Sequence, residues 1–379
     1  MNKIWWVNPN DLDLDQRKVL RLPVEGKHLV TGPPGSGKSN LLVLRAKYLL
    51  GLKKESFRIL AFTQTLVRFL RASNAVPEKK ITTATAWLDE QLWQLEARRI
   101  EESEMDKRRP LVAAALLDHL RANKKSGLIH TLLVDEVQDY SRQEIALFSE
   151  IAEHLFLVGD IRQQIHTSDT THRDLDAMKD AFNVVELEVH YRIGQKICAF
   201  ADRLAKFSKG HKPISDGCQY DEVKNPSAVE RNIAPLDDQV DMIVERIKTQ
   251  LDTFPNEFIG VLCPTNGVLD VVATGLEAVL GGLVCVQKAG EYQDFDLSKP
   301  VVISTIHSGK GLEYRCVHIP SAESLKSMPH SRELIYTAVT RAKTTVSLYH
   351  EDALNDFLED ALKASDPPPA PPSLESLFK

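Results

Sequence analysis

Val30–Asn40 reads V-T-G-P-P-G-S-G-K-S-N, and the fold turns on this stretch. It fits the pattern G-x-x-x-x-G-K-S/T, with Gly32, Gly37, Lys38 and Ser39 at the fixed positions. Glycines here, Gly35 among them, let backbone N–H groups close around a di- or triphosphate with no Cβ in the way. Lys38 then reaches the β- and γ-phosphates, and the Ser39 hydroxyl is placed to hold Mg²⁺. Lys27–Thr31 reads as a short strand and Asn40–Arg45 as the start of an amphipathic helix. That is the strand–loop–helix setting the pattern needs.

Upstream, a glutamine at the distance of Gln16 can read an adenine edge, accepting from the exocyclic amine and donating to the ring nitrogen. Leu12–Gln16 equally suits a solvated helix start capped by Asp13 or Asp15. Downstream, 58–65 and 81–87 read as extended and end in hydroxyl-bearing residues. Polar loops at strand ends face the ligand crevice of an α/β domain, where Thr63 and Thr83 could hold phosphates of a nucleic-acid strand. Residues 88–130 are helical in pattern, a small insertion whose mixed charge run at 98–104 is a solvated face. Thr131–Val134 is a buried strand with Asp135 and Glu136 at its C-terminal end. These are the positions for a second Mg²⁺ contact and a water-activating base.

Further strands read at 155–158, 186–192, 258–263, 283–286, 301–305, 316–319 and 346–349, with a helix at 332–341. Two series of alternating strands and helices imply two α/β domains with largely parallel sheets.

A chain of 379 residues suggests two or three domains. At 43% hydrophobic and 26% charged residues the composition is that of a soluble globular protein. No apolar run approaches the roughly 18 residues of a bilayer span, and the N-terminal apolar stretch is too short for a signal peptide; no membrane association is expected. The five cysteines (198, 218, 263, 285 and 316) show no C-x-x-C spacing, so neither a zinc knuckle nor an iron–sulfur cluster is indicated. Isolated cysteines fit a reducing cytoplasm. A net charge of −6 argues against broad binding of duplex backbone, but not against a single strand held in a local groove. The tail from Ser365 is a polyproline spacer with a short apolar end, either disordered or a docking peptide for a protein partner.

Taken together, the motifs from Gln16 to Tyr349 resemble the superfamily 1 helicases of the UvrD type, in the family's order. Gln16 is similar to the family's adenine-reading residue, and G-P-P-G-S-G-K-S, including Asn40 after it, to its nucleotide loop. V-D-E-V-Q-D (134–139) is close to the family's D-E-x-Q-D. V-G-D-I-R-Q (158–163) resembles the coupling motif, which makes Gln163 a γ-phosphate sensor. H-Y-R (190–192) implies that Tyr191 stacks on adenine and that Arg192 is an arginine finger. T-I-H-S-G-K-G-L-E-Y (305–314) implies nucleotide contacts at Gly311 and Glu313, near the ribose, and DNA contacts at Thr305 and His307. Y-T-A-V-T-R-A-K (336–343) supplies Arg341 as a second finger.

Departures accompany the resemblance. The family's T-F-H-S-F reads Thr83–Trp87 here, leaving Trp87 as the aromatic of that segment. Only 40 residues lie between Cys263 and Ser304, where relatives insert a large helical domain. The resemblance therefore implies two RecA-like phosphate-loop domains, 1–190 and 191–364, followed by the tail 365–379. It implies ATP and Mg²⁺ as ligands and single-stranded DNA as partner, RNA not being excluded, with 3′-to-5′ translocation. A rival expectation is a DNA-end-sensing ATPase subunit of a nuclease or defence complex that does not itself unwind.

Overall fold

The computed structural model describes residues 12–72, 74–97, 100–160, 181–205, 212–288, 295–328 and 330–363. The strand before the phosphate loop is β1 (Lys27–Thr31), buried through its centre. It pairs in parallel with β5 (Ala152–Gly159) and β6 (Asn183–Glu186). Beyond β5 come β4 (Ile129–Val134), β2 (Phe57–Ala61) and β3 (Ile81–Thr83), giving the order β3-β2-β4-β5-β1-β6. Apolar residues fill these strands almost continuously, as they must where helices cover both faces.

A second parallel sheet has the order β7-β12-β11-β8-β10-β9. Its strands are β7 (Ala228–Ile233), β8 (Ile259–Cys263), β9 (Val284–Gln287), β10 (Val301–Thr305), β11 (Tyr314–Ile319) and β12 (Ala342–His350). Two six-stranded parallel sheets with helical crossovers make the expected α/β architecture of two RecA-like units.

The helices of the first half are α1 (Leu14–Leu20), α2 (Lys38–Gly51), α3 (Gln64–Ala72), α4 (Ala84–Gln94), α5 (Met105–Ala122) and α6 (Arg142–Ile151). Those of the second are α7 (Gln195–Leu204), α8 (Leu236–Thr253), α9 (Asn266–Leu280), α10 (Ser331–Val339) and α11 (Asp356–Lys363). α3 is the wedge between the sheets. It packs beside β2 and β3, and its Phe69 meets Phe295 edge-on at 5.5 Å, which in turn meets Phe258 at 6.3 Å.

Three expectations are corrected. The extended reading of 81–87 stops at Thr83, whose hydroxyl accepts from the Ala86 N–H and starts α4. A hydroxyl placed to cap orphan amides ends the strand and begins a helix. The strand expected at 186–192 lies earlier, at Asn183–Glu186, because pairing to β1 ends where the phosphate loop begins. Finally, Asn266–Leu283 is an 18-residue stretch of mean hydropathy 1.3, long and apolar enough to pass for a membrane span. One face of this segment, Leu269, Val272, Ala273, Leu276 and Leu280, is buried, and the helix packs on β8, β9 and β10.

His318 on β11 is fully buried and hydrogen-bonded on both nitrogens, to the Tyr349 hydroxyl at 2.9 Å and Gln250 Oε1 at 2.9 Å. Burial, and then the Arg246 charge, push the imidazole down to about 3. The unfolded chain takes up this proton near pH 6.5 while the folded chain stays neutral. Stability is therefore intact above about pH 6.5 and falls by about 1.4 kcal/mol per pH unit below it. Urea unfolding of wild type and His318→Gln should show their stability difference shrinking by that slope between pH 6.5 and 5. A difference independent of pH would mean that the imidazole titrates in the fold as it does in the open chain.

Candidate active site

The phosphate loop sits at the C-terminal end of β1, with Gly35 (φ +80°) and Gly37 (φ +84°) in the left-handed region that disfavours side chains. A Cβ on Gly37 would also lie 2.9 Å from Gln16 Nε2. Lys38 folds its ammonium back onto the carbonyls of Gly32 and Pro33, each at 2.9 Å. The Ser39 hydroxyl donates to Asp135 Oδ2 at 2.7 Å, across from the end of β4. Asn40 is 7% exposed, and neither its Oδ1 nor its Nδ2 has a hydrogen-bond partner. A buried carboxamide left unmatched beside Lys38 and Ser39 is a site with room for a polar ligand.

Asp135 and Glu136 are both buried. Burial, then the neighbouring Glu136 charge, push the Asp135 carboxyl up to about 6. Glu136 takes a left-handed backbone (φ +54°), a conformation costly for a non-glycine residue and held only by its surroundings. Gln138 is the restraint. Its Nε2 donates to Glu136 Oε2 at 2.5 Å, and its Oε1 accepts from the Asp160 N–H at 3.0 Å. One fully buried carboxamide thus joins the ends of β4 and β5. A Cβ on Gly159 would lie 2.4 Å from that Oε1.

The opposite wall comes from the second half. Arg192, Gly311, Glu313 and Arg341 line the same cleft as Gly35, Lys38, Ser39, Asn40, Asp135 and Glu136. Glu313 and Arg341 immediately precede β11 and β12, so this half presents strand N-termini to the strand C-termini of the other. The Glu313 carboxylate pairs with the Arg192 guanidinium. Burial, then the like charge of Arg341, lower Arg192 to about 9. Lys38 and two arginines converging on one cleft form a seat for a polyanion. Ser39 and Asp135 supply the hard oxygen donors suited to a divalent cation beside it.

Of the two readings of Gln16, the structure shows the helix start. Gln16 completes a capping box with Asp13 at the start of α1, and its Nε2 donates to Ser36 O at 2.9 Å. Its carboxamide therefore props the phosphate loop in this structure. Tyr191 is 45% exposed. Burial, then the Asp13 and Asp15 charges, raise its phenol, which places the ring beside the start of α1. Gln163 and the tail 365–379 lie outside the described residues.

The expected nucleic-acid contacts fare unevenly. Trp87 is corrected: it is 2% exposed and packs against Phe148 at 6.0 Å, because α4 turns it into the core under the sheet. Thr83 is likewise buried and caps α4. The Thr305 hydroxyl binds within its own turn, donating to Ser308 Oγ at 3.0 Å and accepting from the Ser308 N–H. Thr63 caps α3 and donates to Lys310 O across the cleft at 3.3 Å. His307 is half-buried at the surface of the same loop.

Sequence reasoning passed over the pair that ties the walls together. Lys310 and Asp139 are both wholly buried and form an ion pair from the second half to the first. Burial pushes the Asp139 carboxyl up to about 6, with the Lys310 charge pulling back. Arg109 donates to Asp139 O at 3.3 Å and stacks over Phe62 at 4.4 Å. Both Gln138 and Asp139 sat in plain sight inside V-D-E-V-Q-D. Their partners, 22 and 171 positions away, did not.

Comparison with known proteins adds the family. A model described as an AAA domain matches residues 16–169, and the UvrD-like helicase C-terminal domain matches 300–349. The domain pair is that of a UvrD-like helicase. The two matches span the cleft, one carrying the phosphate loop and Glu136, the other Gly311, Glu313 and Arg341. Among solved structures, the C-terminal domain of a possible DNA helicase from Lactobacillus plantarum WCFS1 is 19% identical with a TM-score of 0.34. It covers 46% of this chain and 96% of its own. No curated protein matches.

Breaking a buried pair by removing one partner costs about 3–5 kcal/mol, whereas replacing both with apolar residues is often close to neutral. Lys310→Met and Asp139→Leu should each lower stability in urea unfolding by that order. The double variant should recover most of the loss. Simple addition of the two single effects would show that the residues do not act as a pair.

Proposed function

We propose that the chain is a Mg²⁺-dependent ATPase that moves on single-stranded DNA, with 3′-to-5′ polarity. One observation carries the reading: Lys38 from one sheet unit and Arg192 and Arg341 from the other line a single cleft, with Asp135 and Glu136 at its floor. The match of 300–349 to the UvrD-like helicase C-terminal domain, beside the AAA-domain match of 16–169 on the other wall, supports DNA as the track.

The roles follow from placement. Lys38 exchanges its two loop carbonyls for phosphate oxygens, and the loop amides cradle the rest. Ser39 and Asp135 would hold Mg²⁺, which when bound would neutralise charge on the phosphates. Glu136, fixed by Gln138, takes the proton of the attacking water. Arg192 and Arg341 stabilise the charge that builds in the transition state, and do so only while the two units are closed together. Because both fingers ride on the second unit, each catalytic cycle is tied to relative movement of the sheets, which is what translocation requires. Gln163 is assigned as γ-phosphate sensor, Tyr191 as the adenine platform and His307 as a contact to the strand.

A second reading has its own support. Among the described residues, the 40 positions between Cys263 and Ser304 hold α9, a short turn of 3-10 helix, β9 and the first residues of β10, and 40 residues are too few for a large strand-separating domain. A sensor subunit of a nuclease or defence complex, with a protein partner docking on 365–379, would need none.

Steady-state ATP hydrolysis with and without single-stranded DNA, and with RNA, tests the first reading. Stimulation by DNA is expected, with Lys38→Ala and Glu136→Gln each lowering the rate at least about 100-fold. Arg192→Ala should cost about 10³-fold or more. A rate indifferent to any nucleic acid yet dependent on Lys38 would sink the motor. Strand displacement on 3′- and 5′-tailed duplexes then separates motor from sensor, since a sensor hydrolyses ATP without opening either.

A further inference from the structure

We propose that His190, Cys198 and Cys218 form a zinc site at the base of the Tyr191–Arg192 loop. The His190 ring and the two sulfurs present ligand atoms that all lie within 4.8 Å of one another. Cys198 Sγ is 3.7 Å from His190 Nε2. With Zn–S near 2.3 Å and Zn–N near 2.05 Å, the edge of a tetrahedral site is about 3.6 Å. The spacing therefore already matches two ligands on one metal.

The backbone holds these side chains together without the metal. His190 and Cys218 form an isolated parallel bridge, closed by His190 N–H to Gly217 O at 3.0 Å and Gln219 N–H to His190 O at 2.9 Å. Gly217 permits the approach, because a Cβ there would lie 2.2 Å from Glu188 O. Cys198 belongs to α7, and Asp202 on the same helix accepts from the Ile214 and Ser215 N–H groups at 2.8 and 3.0 Å. Three separate segments are thus clamped around one point. His190 and Cys198 are wholly buried and Cys218 is half-buried, which gives an entry path from its side.

Both thiols now donate to a single acceptor, the Ile193 carbonyl, at 3.4 and 3.2 Å. His190 Nε2 donates to Ile214 O at 2.9 Å. On binding, the two S–H bonds break, two Zn–S bonds form, and two protons leave to solvent. The imidazole moves its proton to Nδ1 and ligates through Nε2. The resulting Cys₂His site is electrically neutral, as suits burial, and water fills the fourth position. Two soft thiolates with an imidazole select zinc over magnesium or calcium. A second cluster of such groups among the described residues, His130, Glu153 and His154, has Lys54 Nζ at 3.2 Å from the His130 ring, where a cation would be repelled.

The test uses the full chain, purified with a thiol reductant and no chelator and then dialysed against metal-free buffer. About one zinc per chain is expected by elemental analysis. Cobalt(II) in its place should give the intense ligand-field and thiolate charge-transfer bands of a tetrahedral site. Cys218→Ser and His190→Gln should each weaken zinc binding at least about 10-fold, while Cys285→Ser keeps it; circular dichroism checks that each variant is folded. If Cys218→Ser does not fold, His190→Gln decides by the cobalt spectrum alone. A folded, reduced wild-type chain that retains no zinc and shows only the pale spectrum of aqueous cobalt overturns the site. So does zinc retained unchanged in both variants, or a Cys198–Cys218 disulfide forming on mild oxidation of a reduced chain that takes up no metal.

Discussion

The buried ion pair between Lys310 and Asp139 is the contact on which the arrangement of the two sheets depends. A charged side chain with no exposure is tolerated only with its partner in place. The pairing therefore sets where the loop after β10 lies against the end of β4. Gly311 then comes against Leu66, Thr63 reaches Lys310 O, and α3 slots against Phe295. From that register follows the position of Glu313 and Arg341 opposite Lys38. The pair thus lies beside the cleft and joins its two walls.

The chemistry of the cleft rests on a second restraint of the same kind. Glu136 stands in a left-handed conformation, and Gln138 holds its carboxylate while gripping Asp160. Asp160 directly follows β5. The ends of β4 and β5 are thus joined by hydrogen bonds through groups too buried to relax into water. Each wall of the cleft carries both signs of charge: Lys38 beside Asp135 and Glu136 on one, Arg192 and Arg341 beside Glu313 on the other.

Much of this was legible in the chain. The strand, glycine loop and helix around Lys38, and the apolar run ending in Asp135-Glu136, depend on near neighbours, and near neighbours are what periodicity and motif spacing report. Trp87 was misread for the complementary reason. An aromatic after Thr83 suggests a base platform only while the segment is extended, and one hydroxyl cap turned it into a helix facing the core. Asp139 and Gln138 lay within a motif already singled out, yet their roles appear only when Lys310 and Asp160 are brought beside them.

By itself the sequence determined two alternating α/β series, the phosphate loop, and the residue types of a nucleotide cleft, because each is written in spacings of a few residues. The tertiary structure decided which of those residues face one another. It put Arg192 and Arg341 across from Lys38, gave the buried Lys310 its carboxylate, and drew His190, Cys198 and Cys218 to one point. Such pairings are settled by packing and by the cost of leaving a buried polar group unmatched, and no local pattern records where the match is found.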